Sequence, residues 1–93
     1  MQEHTPQLIY AVSARSTLDS LDFEEYLSAV NVLFSIVTDP SHDGIYKFRA
    51  DDSPYPPGTI EFLNEEWYIA YRVIDNGDVQ VSVMRRISDL RLY

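Results

Sequence analysis

The segment Trp67-Tyr68-Ile69-Ala70-Tyr71-Arg72-Val73-Ile74-Asp75-Asn76-Gly77-Asp78-Val79-Gln80-Val81-Ser82-Val83-Met84 constrains the fold more than any other part of this chain. Two runs rich in β-branched and aromatic residues flank Asp-Asn-Gly-Asp, and Asn-Gly is among the strongest short-range signals for a hairpin. Val79, Val81 and Val83 alternate with Gln80 and Ser82. That period of two predicts an antiparallel sheet with one packed face and one wet face. The second run leads into Arg85-Arg86, an adjacent cationic pair in a chain of net charge −8.

The rest of the chain supplies what such a sheet packs against. Gln7 to Ser13 favours a strand, and Ser16 or Thr17 is suited to cap a following helix. Apolar residues then recur at 18 and 21, and again at 23, 26, 27, 30, 33, 34 and 37, with a phase slip at Asp22-Phe23. This is helical spacing, and it predicts either one bent helix or a helical hairpin. Asp39-Pro40 and the polar residues after it stop the helix. Ile45 to Arg49 predicts a short strand with Lys47 and Arg49 on one face. Ala50 to Gly58 predicts a stiff proline-rich loop, and Thr59 to Phe62 resumes a strand before a turn at Leu63 to Glu66. The expected fold class is α+β: an N-terminal strand, one bent helix or helical hairpin, then a three- to four-stranded antiparallel sheet, all in a single domain over residues 1–93.

Composition narrows the function classes. With no cysteine there is no disulfide and no thiolate metal site. No segment reaches the roughly 20 apolar residues that span a bilayer, and the N-terminal apolar run is short for a signal peptide, so a soluble cytoplasmic protein without a membrane partner is expected. Residues 1–46 hold seven acids against Arg15 alone, whereas residues 47–93 hold eight acids against six bases. Nucleic acid is repelled by such a chain unless the bases cluster on one face.

Few constellations carry chemistry. His4 and His42 lie far apart in the sequence, and the Asp39, His42 and Asp43 group is ordinary turn composition, so neither metal nor cofactor is expected. Glu24-Glu25, Asp51-Asp52 and Glu65-Glu66 are sequence neighbours whose side chains diverge, which suits solubility better than acid–base work. Tyr26, Trp67 and Tyr71 are expected in the core rather than on a stacking surface. The cations Lys47, Arg49, Arg72, Arg85, Arg86 and Arg91 either converge on a patch or pair singly with acids, Arg72 with Glu61 and Arg85 or Arg86 with Asp89. Exposed pairs of that kind contribute only about 0–1 kcal/mol.

Taken in order, Ile9-Tyr10-Ala11-Val12-Ser13-Ala14-Arg15 as first strand and helix lead-in, the helix-closing Asp39-Pro40, Lys47-Phe48-Arg49, Trp67 to Asp75, Val79 to Val83 and Arg85-Arg86 resemble the RelE/ParE superfamily of toxins from type II toxin–antitoxin modules. The resemblance implies a cognate antitoxin as partner. It also implies action on ribosome-bound mRNA as an endoribonuclease, or on gyrase. In the RNA-cleaving branch, cations hold the scissile phosphate and a C-terminal tyrosine assists. Carried over, the catalytic positions are Lys47, Arg49, Arg85, Arg86 and Tyr93. This chain departs from the pattern at Tyr68, where a basic residue is expected, in its long proline-rich loop, and in its acidic balance. The alternative is an acidic, non-catalytic interaction protein, such as an immunity protein, an inhibitor or a nucleic-acid mimic. It would bind a basic partner through Asp19, Asp22, Glu24, Glu25, Asp39 and Asp43.

Overall fold

The computed structural model describes residues 6–40, 47–49 and 56–90. Its elements are β1 (Leu8–Tyr10), α1 (Val12–Asp19), α2 (Phe23–Thr38), β2 (Lys47–Arg49), β3 (Ile60–Leu63), β4 (Trp67–Val73), β5 (Val79–Arg86) and α3 (Ile87–Leu90). The five strands form one sheet in the order β1-β5-β4-β3-β2. The α+β class and the order of elements from β1 to β5 are those expected, and the short α3 after β5 is an addition. The sheet is mixed rather than purely antiparallel, because β1 joins its edge parallel to β5, with Leu8, Ile9 and Tyr10 opposite Val79, Gln80 and Val81.

The phase slip at Asp22-Phe23 resolves into two helices. Ser20 caps the C-terminal end of α1, and Asp22 starts α2 with a complete capping box: its carboxylate accepts from the Glu25 N–H at 2.8 Å, and the Glu25 carboxylate accepts from the Asp22 N–H at 3.1 Å. The first strand is shorter than Gln7 to Ser13 and gives way to α1 already at Val12. Ser16 and Thr17 therefore lie inside α1 instead of capping it, and the N-cap, Ala11, makes no side-chain hydrogen bond. The early helix brings Ala14 and Leu18, one turn apart, into the core. Asp39 closes α2, as expected from Asp39-Pro40.

The hairpin turn uses three residues. The Gly77 N–H donates to the Ile74 carbonyl at 2.8 Å, and the Ile74 N–H to the Asp78 carbonyl at 2.9 Å. Gly77 takes φ 91°, which glycine adopts without strain. The buried Asp78 carboxylate accepts from the backbone N–H of Gln7 and from the Asn76 amide, each at 3.0 Å, so the turn also anchors the start of β1. Between Asn64 and Trp67 the other tight turn is held by Asn64 Oδ1, which accepts from the N–H groups of Glu66 and Trp67.

The β4–β5 register carries an irregularity that decides where the arginines lie. Ala70 faces Val83, but the next residue, Tyr71, faces Val81, so Ser82 is an extra residue on β5. Such a bulge exchanges the two faces of a strand beyond it. Val79 and Val81 are buried below the bulge, and Met84 rather than Val83 is buried above it. The expected one-sided row of three valines is thus broken at its third member.

The core unites Ala14, Leu18, Ala29, Leu33 and Ile36 of the helices with Ile60, Phe62, Trp67, Ile69, Tyr71, Val79, Val81 and Met84 of the sheet. Trp67 and Tyr71 are buried as expected. Tyr26 is not: it lies on the outer side of α2 and is about half exposed (47%).

Tyr71 donates its hydroxyl to the Pro40 carbonyl at 3.0 Å, tying β4 to the end of α2. Burial, with the nearby Asp39 carboxylate adding to it, pushes this phenol up to about 12. A raised phenol favours the protonated native state, so its contribution to stability is intact below pH 10 and is lost as the pH climbs through 12. Tyr71→Phe should therefore cost about 1 kcal/mol at neutral pH through the lost hydrogen bond. In urea titrations it should also show a shallower loss of stability above pH 10 than the parent chain. Tyr10, itself raised by burial, accounts for part of the alkaline loss that remains.

Candidate functional site

The cationic positions singled out from the sequence fall on two well-separated strands of the one sheet. Lys47 and Arg49 lie in the edge strand β2, in register with Phe62 and Ile60. Arg85 and Arg86 lie inside β5, which runs two residues past Met84 and includes both arginines. β3 and β4 separate these strands, so the backbones of the two cation pairs are roughly 14 Å apart across the sheet. Tyr93, Arg91, His4, His42, Asp43, Tyr46 and most of the proline-rich loop lie outside the described residues.

Adjacent strand residues point to opposite faces, and above the bulge this sends the two arginines apart. Arg86 pairs across the ladder with buried Trp67 and lies on the helix side, where its guanidinium forms an ion pair with Glu25 in the first turn of α2. Glu25 thus has two duties, since its other carboxylate oxygen closes the capping box. Beside this pair, Trp67 Nε1 donates to Ser28 Oγ at 3.1 Å, and Ser28 donates to Glu66 at 2.7 Å. Together these groups line an open cleft of about 250 Å³ with Glu65, Ile87 and Ser88. Three carboxylates and one guanidinium already engaged make this cleft hostile to a phosphate.

Arg85 has the opposite setting. It is exposed, its ladder neighbour is Tyr68, and among the described residues it makes no ion pair. It borders a second cleft of about 250 Å³ with Ser13, Thr17, Val83 and Met84, a lining without a carboxylate. The Ser13 hydroxyl donates to the Ser82 carbonyl at 3.2 Å, and the Thr17 hydroxyl donates to the Ser13 carbonyl at 3.2 Å. Both hydroxyl protons are committed to these carbonyls, so the exposed Arg85 guanidinium is the group through which this cleft can receive an anionic oxygen. Ser13 and Thr17 were not among the sequence candidates. Their spacing of four on a helix was the available signal, and it was obscured by reading Thr17 as a cap.

Further along this sheet face Tyr68 donates to Glu61 at 2.6 Å, and Arg72 donates to the Gln80 side chain at 2.9 Å. Arg72 therefore pairs with a neutral amide across the strand and not with Glu61. Tyr68, at the position where the family resemblance leads one to expect a base, is neutral and already engaged. The described face carries Arg85 and Arg72 with Glu61 between them, a mixed surface with one cation, Arg85, open to a ligand.

No protein-family model and no curated protein matches this chain. Solved structures do. The intact E. coli RelBE toxin–antitoxin complex contains a chain that aligns with 85% of this one and 93% of its own length, with TM-score 0.66 and 17% identity. The YoeB/ParE toxin from Agrobacterium tumefaciens aligns over 86% of this chain and 96% of its own, with TM-score 0.67 and 16% identity. The YoeB–YefM complex from Staphylococcus aureus aligns over 86% and 94%, with TM-score 0.64 and 15% identity. At such identities the likeness is one of fold. The fold is that of the RelE/YoeB/ParE toxins, in agreement with the resemblance drawn from the sequence.

The Arg86–Glu25 pair is about two-thirds shielded on both partners, a setting between surface and core. Glu25→Gln keeps an oxygen for the capping box while removing the charge. It should cost less than about 1 kcal/mol in chemical denaturation. Glu25→Ala also opens the box and should cost about 1 kcal/mol more.

Proposed function

We propose that this chain is the toxin component of a toxin–antitoxin pair, that a cognate antitoxin holds it in check, and that its sheet face acts on ribosome-bound mRNA. The observation that carries this reading is the placement of Arg85: exposed on a toxin-fold sheet, beside a carboxylate-free cleft bearing the Ser13 and Thr17 hydroxyls. A guanidinium there is suited to hold a phosphate and to stabilise charge as it builds up in transfer. Lys47 and Arg49, in register with Phe62 and Ile60 of the core face, would meet RNA only where it passes the β2 edge of the sheet, and Tyr93 would assist from the C-terminus. Arg86 would act at one remove, fixing the end of β5 to α2 through Glu25. Inhibition of gyrase is the variant of this reading in which the same fold acts without cutting RNA.

A second reading, an acidic interaction protein with no catalysis, is favoured by α2, which carries Glu24 and Glu25 and no basic residue over its whole length. The two readings separate on induced expression in a bacterial host. The toxin reading expects growth arrest with a fall in protein synthesis, relieved by co-expression of the adjacent reading frame. Arg85→Ala should relieve the arrest and slow any RNA cleavage by about 10²–10³-fold, the cost of losing one group that stabilises transition-state charge. Arrest with supercoiling lost and translation intact would assign the gyrase variant. Harmless expression of a folded chain would overturn the toxin reading.

A further inference from the structure

Helix α2 has two apolar faces, and the core uses only one of them. Ala29, Leu33 and Ile36 are buried against the sheet. Phe23, Leu27, Val30 and Phe34 recur at i, i+4, i+7 and i+11 on another side, with Tyr26 beside them, and all five are exposed, Phe23 by 75% and Phe34 by 65%. Four apolar residues at that spacing form a continuous stripe roughly 16 Å long on the outside of the helix. Monomeric proteins rarely leave such a stripe to water unless it binds something.

The charges around the stripe select its occupant. Asp22 and Glu24 flank its N-terminal end, both exposed. Asp19 is engaged with Arg15 at 3.4 Å, and α2 carries no base along its length. A second copy of the chain would bring an identical stripe with identical acids, and the net charge of −8 would oppose that contact. A helix with its own apolar stripe and lysine or arginine on the flanks meets both demands at once.

We propose that the outer face of α2 is a docking surface for a cationic amphipathic helix of a partner protein. The surface deepens the partner half of the proposed function, and rests on that reading only in taking the partner to be the antitoxin. It does not depend on the chemistry at Arg85.

The test uses the full chain and two labelled synthetic peptides of about 16 residues, matched to α2 in length, each with leucines at i, i+4, i+7 and i+11. One peptide has lysines and arginines flanking the leucines, and the other has glutamates in their place. Fluorescence anisotropy is read for each, and sedimentation reports the oligomeric state. The cationic peptide should bind, with affinity falling at least about tenfold as salt is raised from about 0.05 to about 0.5 M, and the acidic peptide should bind at least tenfold more weakly. Leu27→Ala with Phe34→Ala should weaken binding at least about tenfold while leaving the circular dichroism spectrum and thermal midpoint unchanged, since both residues are exposed. Equal binding of the two peptides, no binding of either, or binding that survives the double substitution would overturn the proposal. So would a dimer that the double substitution dissociates, which would make a second copy the occupant. Because Arg85→Ala leaves α2 intact, a chain that binds the cationic peptide yet fails to arrest growth would sink the toxin reading and keep this one.

Discussion

One extra residue in β5 organises this molecule. Ser82 has no partner of its own in the β4–β5 register, and the strand resumes beyond it with its faces exchanged. β5 is also the strand on which most else depends, since it pairs in parallel with β1 on one side and antiparallel with β4 on the other. Without the bulge, the alternation that buries Val79 and Val81 would bury Val83 and turn Arg85 toward the core. With it, Met84 completes the packing, Arg86 reaches α2, and Arg85 is left on the open side. The stability of the sheet and the disposition of its cations are therefore set by one local irregularity.

The consequence is a division of labour between two arginines that are neighbours in sequence. Arg86 answers Glu25, whose carboxylate is committed to the start of α2, so one ion pair joins the last strand to the second helix. Trp67, Ser28 and Glu66 extend that junction with neutral and charge-assisted hydrogen bonds. A guanidinium used in this way is structural. Arg85, with tyrosine opposite it and hydroxyls beside it, is the one whose charge is open to a ligand.

Most of the architecture was legible in the sequence because it follows from strong local signals. Asn76-Gly77 fixed the hairpin, the slip at Asp22-Phe23 marked two helices, Asp39-Pro40 ended the second, and Trp67 and Tyr71 belonged to the core. What escaped depends on partners distant in the chain. The parallel pairing of β1 arises from the register of Leu8 with Val79, across a separation no local pattern reports. The bulge is invisible because Val79 to Val83 alternates without a break, and only the competition between Val83 and Met84 for the core reveals it. Tyr26 was read as core because helical spacing alone cannot distinguish a helix with one apolar face from a helix with two. Arg86 was expected to find an acid nearby in sequence, and the described partner came from 61 residues away.

The same geometry explains how an acidic chain keeps a cation available. Helix α2 and its caps carry Asp22, Glu24, Glu25 and Asp39 with no base, and α2 lies on the opposite side of the sheet from Arg85. A packed helix and sheet hold their outer surfaces about 10 Å or more apart, while charges in physiological salt are screened over about 8 Å. At Arg85 the field of the α2 carboxylates is therefore weakened, and the local potential is governed by nearer groups: the Ser13 and Thr17 hydroxyls, Tyr68, and the Glu61 carboxylate that accepts from Tyr68. On the far side the acids around the outer stripe of α2 are seen by whatever approaches that helix, and the one sheet arginine that reaches α2, Arg86, is engaged with Glu25. Splitting the arginine pair across the sheet, one half spent on Glu25 and the other left facing solvent, makes a single small domain negative on one side while it keeps a positive point on the other.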